Sequence, residues 1–215
     1  DTVKAPFKDE MMQRIASVIG DPARIDYIIS NHAEMDHSGS LPQVMAEVKP
    51  EKVFASVMGV KALDAHFRIG SVLTAVKTGD VISLGNMSVT FVETRMLHWP
   101  DSMVSYIPEQ KILFSQDGFG MHLATDRIFA DQNDSAVVEQ EMRKYFANIL
   151  LLYAPQVLKL LEDLPKLNLA IDVIATDHGP IWRGEQLGRP LELYKKWASQ
   201  VPENRAVVVY STMWH

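Results

Sequence analysis

Four side chains able to bind a metal ion fall within six residues, in Asn31-His32-Ala33-Glu34-Met35-Asp36-His37. A strand that empties into a loop can turn such neighbouring ligands inward, where a regular helix would scatter them around its axis. Three further polar loops carry the same residue types: Leu97-His98-Trp99-Pro100, Ser115-Gln116-Asp117-Gly118 and Asp177-His178-Gly179-Pro180. A lone histidine usually means a solvated or hydrogen-bonded side chain. Four histidines with three acids at the ends of strand-like runs make a set: His32, His37, His98 and His178 with Glu34, Asp36 and Asp117. Seven imidazole and carboxylate ligands suit two divalent metals with one carboxylate bridging them, the arrangement of dinuclear sites roughly 3.5–4 Å across. The chain has no cysteine. That excludes disulfides, thiolate-bound zinc, iron–sulfur clusters and thiol catalysis.

The elements that must position these loops follow from periodicity. Met11, Met12, Ile15, Val18 and Ile19 recur at helical spacing, which predicts a helix over 8–19 that Asp21-Pro22 stops. Residues 25–29 read as a buried strand, followed by a helix over 41–48, a strand over 52–55 and a helix over 57–67. This alternation belongs to a layered α/β domain. From residue 72 short β-rich runs (72–76, 87–93, 103–107, 111–115), joined by turn residues such as Thr78-Gly79-Asp80, predict a sheet with antiparallel pairs. Residues 134–163 read as helix with a break at Pro155, 171–175 as a buried strand and 187–199 as a final helix. Beyond a linker at 200–204, Arg205 to Tyr210 reads as a fresh strand, the first of a second domain.

The 215 residues carry 21 Lys+Arg against 27 Asp+Glu, a net charge of −6, with 47% hydrophobic residues. This is ordinary globular composition, long enough for a sizeable core. The acidic balance argues against a nucleic-acid groove, which needs clustered cations. No apolar run approaches the roughly 20 residues of a membrane span, and no signal peptide opens the chain.

The pattern His32-x-Glu34-x-Asp36-His37, followed by His98, Asp117 and His178, resembles that of the metallo-β-lactamase superfamily. Most hydrolases of that superfamily carry a histidine where this chain has Glu34. That replacement, with Ser-x-Asp-Gly-Phe-Gly-x-His at 115–122 and Asp-His-Gly-Pro-Ile-Trp-Arg at 177–183, is similar to the flavodiiron proteins. The resemblance implies an αββα sandwich over 1–200, with the metal site at one edge. It implies one iron held by His32, Glu34 and His98, a second by Asp36, His37 and His178, and Asp117 bridging them. It implies reduction of nitric oxide to nitrous oxide, or of dioxygen to water, with electrons supplied through FMN. Residues 201–215 then read as a linker and the start of a flavodoxin-like FMN domain, with Ser211, Thr212, Met213, Trp214 and His215 opening its phosphate loop. The same resemblance implies a stretch ahead of Asp1, a head-to-tail homodimer, a rubredoxin or similar reductase as electron donor, and a cytoplasmic location.

His122 and Tyr145 match family positions lining the pocket where substrate binds; for Tyr145 a core aromatic with a satisfied hydroxyl is the competing reading. Asp177 is placed to orient His178 or to stand in an exposed turn, and Trp99 and Trp182 to pack around the ligand loops. His66, without an acidic partner, reads as surface, and His215 as no ligand. Two other functions compete. A dinuclear zinc hydrolase would use a metal-bound water of lowered pKa as nucleophile, and Glu34 tells against it. A non-catalytic metal-binding domain is disfavoured by the complete set of seven ligands.

Overall fold

The computed structural model describes residues 1–204, 206–209 and 211. Two sheets lie face to face. The smaller is parallel, in the order β1 (Tyr27–Ser30), β2 (Lys52–Ser56) and β3 (Leu73–Val76). The larger runs β4 (Val81–Ser83), β5 (Ser88–Glu93), β6 (Met103–Ile107), β7 (Ile112–Gln116), β8 (Val173–Thr176) and β9 (Trp182–Arg183), antiparallel except between β7 and β8.

The layering is legible in what each face buries. Phe54, Val76, Val89, Phe91 and Met103, from β2, β3, β5 and β6, form the seam between the sheets. On the outer face of the small sheet, Val53 and Ala55 meet Met12 of α1 (Lys8–Ile19), Leu41 and Val44 of α3 (Leu41–Val48), and Leu63 of α4 (Val57–Phe67). On the outer face of the large sheet, Val104, Leu113 and Ile174 meet Met142 of α5 (Ser135–Tyr145), Val157 of α6 (Ala154–Asp163), and Leu193 and Tyr194 of α7 (Arg189–Ala198). Each fully buried large apolar side chain contributes about 1.5–3 kcal/mol. The αββα sandwich expected from the resemblance is therefore the observed architecture.

Several local expectations need correction. The run at 72–76 is β3, paired parallel to β2 with Val53 opposite Leu73, and does not join the antiparallel group. It follows β2 through the crossover helix α4, and such a crossover returns the chain parallel to the strand it left. The ligand segment is not all loop: Met35–Ser38 closes a single helical turn, α2, with Glu34 at its N-cap. The break in 134–163 falls at Phe146–Leu150 and Leu151–Tyr153, a wide turn followed by a tight one. Pro155 instead sits in the first turn of α6, where its missing N–H costs nothing. The strand expected between Arg205 and Tyr210 is not formed over 206–209, where Val207, Val208 and Val209 stand exposed and, among the described residues, pair with no strand. Arg205 and Tyr210 themselves lie outside the described residues. Among the described residues, no helix is long and apolar enough to cross a membrane.

Candidate metal centre

The ligand loops leave the sheets at one edge. His32, Glu34, Asp36 and His37 follow β1, His98 lies in the connection from β5 to β6, Asp117 follows β7, and His178 follows β8. Each is carried past the C-terminal end of a strand. The close approach of two of these loops requires glycine. A Cβ on Gly179, at φ +78°, would lie 2.7 Å from Met121 Cγ, and one on Gly120 would lie 2.9 Å from the His178 carbonyl oxygen.

All seven predicted ligands converge, and they divide into two groups around Asp117. Asp117 Oδ2 lies 3.1 Å from His98 Nε2 and 3.4 Å from His32 Nε2, and Glu34 Oε2 lies 3.2 Å and 3.3 Å from the same nitrogens. Asp117 Oδ1 lies 3.2 Å from both His37 Nε2 and His178 Nε2, and Asp36 Oδ2 lies 3.3 Å from His178 Nε2. Every imidazole presents Nε2. Metal–ligand bonds of roughly 2.0–2.2 Å place adjacent ligand atoms about 2.8–3.6 Å apart, so these spacings are those of ligands sharing an ion. His32, Glu34, His98 and Asp117 could hold one ion, and Asp36, His37 and His178 a second. Among the described residues, His37 Nε2 and Asp36 Oδ1 are buried without a hydrogen-bond partner, although Asp117 Oδ1 lies 3.2 Å from His37 Nε2. Buried polar atoms are normally satisfied, and an ion among these atoms would satisfy both. The residues present therefore fit a pair of divalent cations.

The electrostatics agree. Burial resists charge on His32, but hydrogen bonds to Asp101 and Glu34 outweigh it and push its pKa up to about 9. Burial likewise resists charge on His37, and the Asp117 and Asp177 carboxylates push it up to about 10. Burial would raise the Asp117 carboxyl, yet His178, His37 and His98 hold it well below the usual carboxylate range. Without an ion, protons supply the positive charge that this set of acids demands.

Two acids hold the imidazoles from behind. Asp101, buried, accepts from His32 Nδ1 at 3.2 Å and from the Ala33 N–H at 2.6 Å. Asp177 lies 3.0 Å from His37 Nδ1, so it orients His37 rather than His178. A further grouping, Asp1, His37 and Asp177, uses the Nδ1 side of the same ring. Sequence reading missed Asp101. Its position three residues after His98 was a signal, but nothing in the sequence says that it serves His32.

Tyr145 is buried, and its hydroxyl donates to Asp117 Oδ1 at 2.8 Å. Its phenol is raised above the normal tyrosine range by burial and by the Asp117 charge. His122 is exposed, its ring 4.8 Å from Tyr145 and 5.3 Å from His178 between centroids. Trp99 packs edge-on against His32 at 5.2 Å, and Trp182 donates through Nε1 to the Phe119 carbonyl, so both pack on the ligand loops. His66 is exposed, as expected. Ser211 is exposed in no regular element, and Thr212, Met213, Trp214 and His215 lie outside the described residues.

The chain is similar to several known proteins. The chain is 43% identical to the nitric oxide reductase of Moorella thermoacetica, aligned over 100% of the chain and 53% of the relative. It superposes on the rubredoxin oxygen:oxidoreductase of Desulfovibrio gigas with a TM-score of 0.92 and 46% identity, covering 95% of this chain and 51% of that one. It superposes on a flavodiiron protein from Giardia intestinalis with a TM-score of 0.86 and 35% identity, covering 92% and 48%. The chain spans about half the length of the curated relatives it matches. Residues 3–179 match the family described as ODP family beta lactamase, and the chain belongs to that family, its resemblance to the flavodiiron proteins running through the whole β-lactamase-like sandwich.

Proposed function

We propose that this chain forms the metal-bearing part of a reductase of small oxidants, converting nitric oxide to nitrous oxide, dioxygen to water, or both. The observation that carries the reading is Asp117, whose two carboxylate oxygens face separate sets of histidines: Oδ2 toward His32 and His98, Oδ1 toward His37 and His178. In this reading His32, Glu34 and His98 would hold one iron and Asp36, His37 and His178 the other, with Asp117 placed to serve both. Two ferrous ions would supply one electron each to a bound diatomic, a chemistry closed to zinc. Two nitric oxides take up two electrons and two protons to give nitrous oxide and water; dioxygen takes up four of each to give two waters.

The chain's own residues do the positioning. Asp101 and Asp177 fix the rings of His32 and His37 so that Nε2 faces inward. Tyr145 keeps its proton and uses it to hold the Asp117 oxygen that serves His37 and His178. His32, His37 and Asp117 are buried, while Glu34, Asp36 and His178 are partly exposed, so the open side lies on the outer ligands, where His122 stands. The similar proteins named as nitric oxide reductase and rubredoxin oxygen:oxidoreductase support both substrates and a rubredoxin-type donor. In this reading residues 201–215 would lead into a flavodoxin-like domain, with Ser211, Thr212, Met213, Trp214 and His215 proposed to bind the FMN phosphate, and that flavin would supply the electrons. The working unit is a head-to-tail homodimer in the cytoplasm.

Elemental analysis and Mössbauer spectroscopy on full-length protein made without oxygen and with iron supplied test this reading. About two coupled non-haem irons per chain, with consumption of nitric oxide or dioxygen, is the expected result. Two tightly held zincs and no iron would overturn it in favour of hydrolysis.

A further inference from the structure

Gln116 stands at the junction of three ligand loops. It is buried, 1% exposed, and adopts φ +47°, a conformation that L residues other than asparagine and aspartate seldom take. The register between β7 and β8 slips between Phe114 and Gln116, so the strand is re-aimed at this point. Irregularities of this kind redirect the side chains that follow, here Asp117. The Gln116 side-chain Nε2 donates to the Leu97 carbonyl at 2.7 Å, on the peptide that leads into His98. Its Oε1 accepts from the Asp117 N–H at 2.8 Å, and its backbone carbonyl accepts from the Asp177 N–H at 3.0 Å, just before His178.

We infer that Gln116 is a positioning residue that sets the distance between His98 and Asp117, and so tunes the ion held with His32 and Glu34 more strongly than the other. The inference rests on the dinuclear reading above. The carboxamide places a donor and an acceptor on one planar group, and here it bridges a carbonyl oxygen and an N–H on different loops. Leucine offers neither. Asparagine offers both and tolerates the positive φ better than glutamine does, but it is one methylene too short to reach both partners. Gln116→Asn therefore relieves any backbone strain while breaking the bridge, which separates the two explanations.

The test is cobalt(II) titration of the metal-stripped full-length protein against a competing chelator, with bound ions counted by elemental analysis. The parent should bind two ions. Gln116→Asn and Gln116→Leu should weaken one of them about 10–100-fold and the other distinctly less. Added to a His98→Ala background, Gln116→Asn should change cobalt binding little further, because its effect runs through His98. Tyr194→Phe provides the structural control. It removes the acceptor 2.8 Å from the Phe119 N–H, two residues past Asp117, and leaves the Gln116 bonds to Leu97 and Asp117 in place. It should lower the melting temperature without separating the two affinities. The inference is overturned if Gln116→Asn binds both ions as the parent does, or weakens both equally. A parent that holds fewer than two ions overturns the dinuclear reading and this inference together.

Discussion

Replacing Asp101 by asparagine removes one negative charge from behind His32 while leaving an oxygen in place for both His32 Nδ1 and the Ala33 N–H. In the metal-free protein burial opposes a charged His32, and the Asp101 hydrogen bond is the largest influence raising its pKa from 6.5 to about 9. A raised folded value means that the ion pair stabilises the metal-free protein in full below 6.5 and is lost as pH rises through about 9. Metal binding runs the other way, because the ion must displace that proton. At pH 7 the displacement spans two pKa units and costs about 2.7 kcal/mol, roughly a hundredfold in affinity. His37, raised to about 10, imposes a similar dependence on the second ion. Parental affinity should therefore climb about tenfold per pH unit up to pH 9 through His32 alone. In Asp101→Asn the proton leaves at lower pH while the ring also becomes a poorer donor, by about tenfold. These effects oppose each other near pH 7, and only the second remains at pH 9, so the deficit of the variant should widen as pH rises. Chelator-buffered cobalt titrations from pH 6.5 to 9 at fixed ionic strength read the affinities. Calorimetry in buffers of different ionisation enthalpy counts the protons, and at pH 8 the variant should release about one fewer. Equal proton release by parent and variant, with an affinity ratio that does not change with pH, would refute the reasoning.

Asp117→Asn should reduce two ions to one at most in elemental analysis, because an amide nitrogen cannot replace the carboxylate oxygen on one side. Tyr145→Phe removes the 2.8 Å bond to Asp117 Oδ1. It should cost about 0.5–1.5 kcal/mol in urea unfolding, retain two ions and lower turnover, whereas loss of an ion would show that the phenol is needed for loading. Gly179→Ala places a Cβ 2.7 Å from Met121 Cγ at φ +78°, and should cost about 2–4 kcal/mol in urea unfolding. Gly85→Ala, at φ +89° with nothing within 4 Å, should cost only about 1–2 kcal/mol, and equal costs would remove the argument from close loop packing. Glu34→His restores the residue found in most hydrolases of the superfamily and should shift the zinc-to-iron ratio of protein made in mixed-metal medium upward by about tenfold; an unchanged ratio would show that Glu34 does not set metal choice.

The division of labour between sequence and structure follows from what each interaction depends on. The convergence of the seven candidate ligands was legible because ligand chemistry restricts residue type, and because each lies past a run whose apolar pattern announces a buried strand. Helices α1, α3 and α4 were legible for the same local reason. The partner of a strand depends on the whole sheet, so β3 was placed with the wrong neighbours, and β4 and β9, three and two residues long, left too little pattern to read. The acids behind the histidines were obscure for a further reason. Asp101 serves His32 from 69 residues away, and Asp177 serves His37 from 140 away, past the nearer His178. Asp and His recur throughout soluble chains, and no spacing rule links residues that meet only after two sheets have packed.

That packing also accounts for the gradient across the site. His32, His37 and Asp117 are nearly inaccessible, with side-chain exposures of 0%, 2% and 2%, whereas Glu34, Asp36 and His178 reach 37%, 26% and 24%. Each ligand group thus has an inner member fixed by the core and an outer member near solvent. The inner histidines are backed by Asp101 and Asp177, and Asp117 is held by Tyr145 and by the Gln116 acceptor at its N–H. Among the outer residues, the Glu34 carboxylate meets the neighbouring imidazoles of His32 and His98, and His178 meets Asp36, Asp117 and the rings of His37, His122 and Tyr145. An ion entering from solvent would meet adaptable ligands first and rigid ones last. Rigidity is concentrated where the two ligand groups share a carboxylate, which is where an error in spacing would disturb both ions at once.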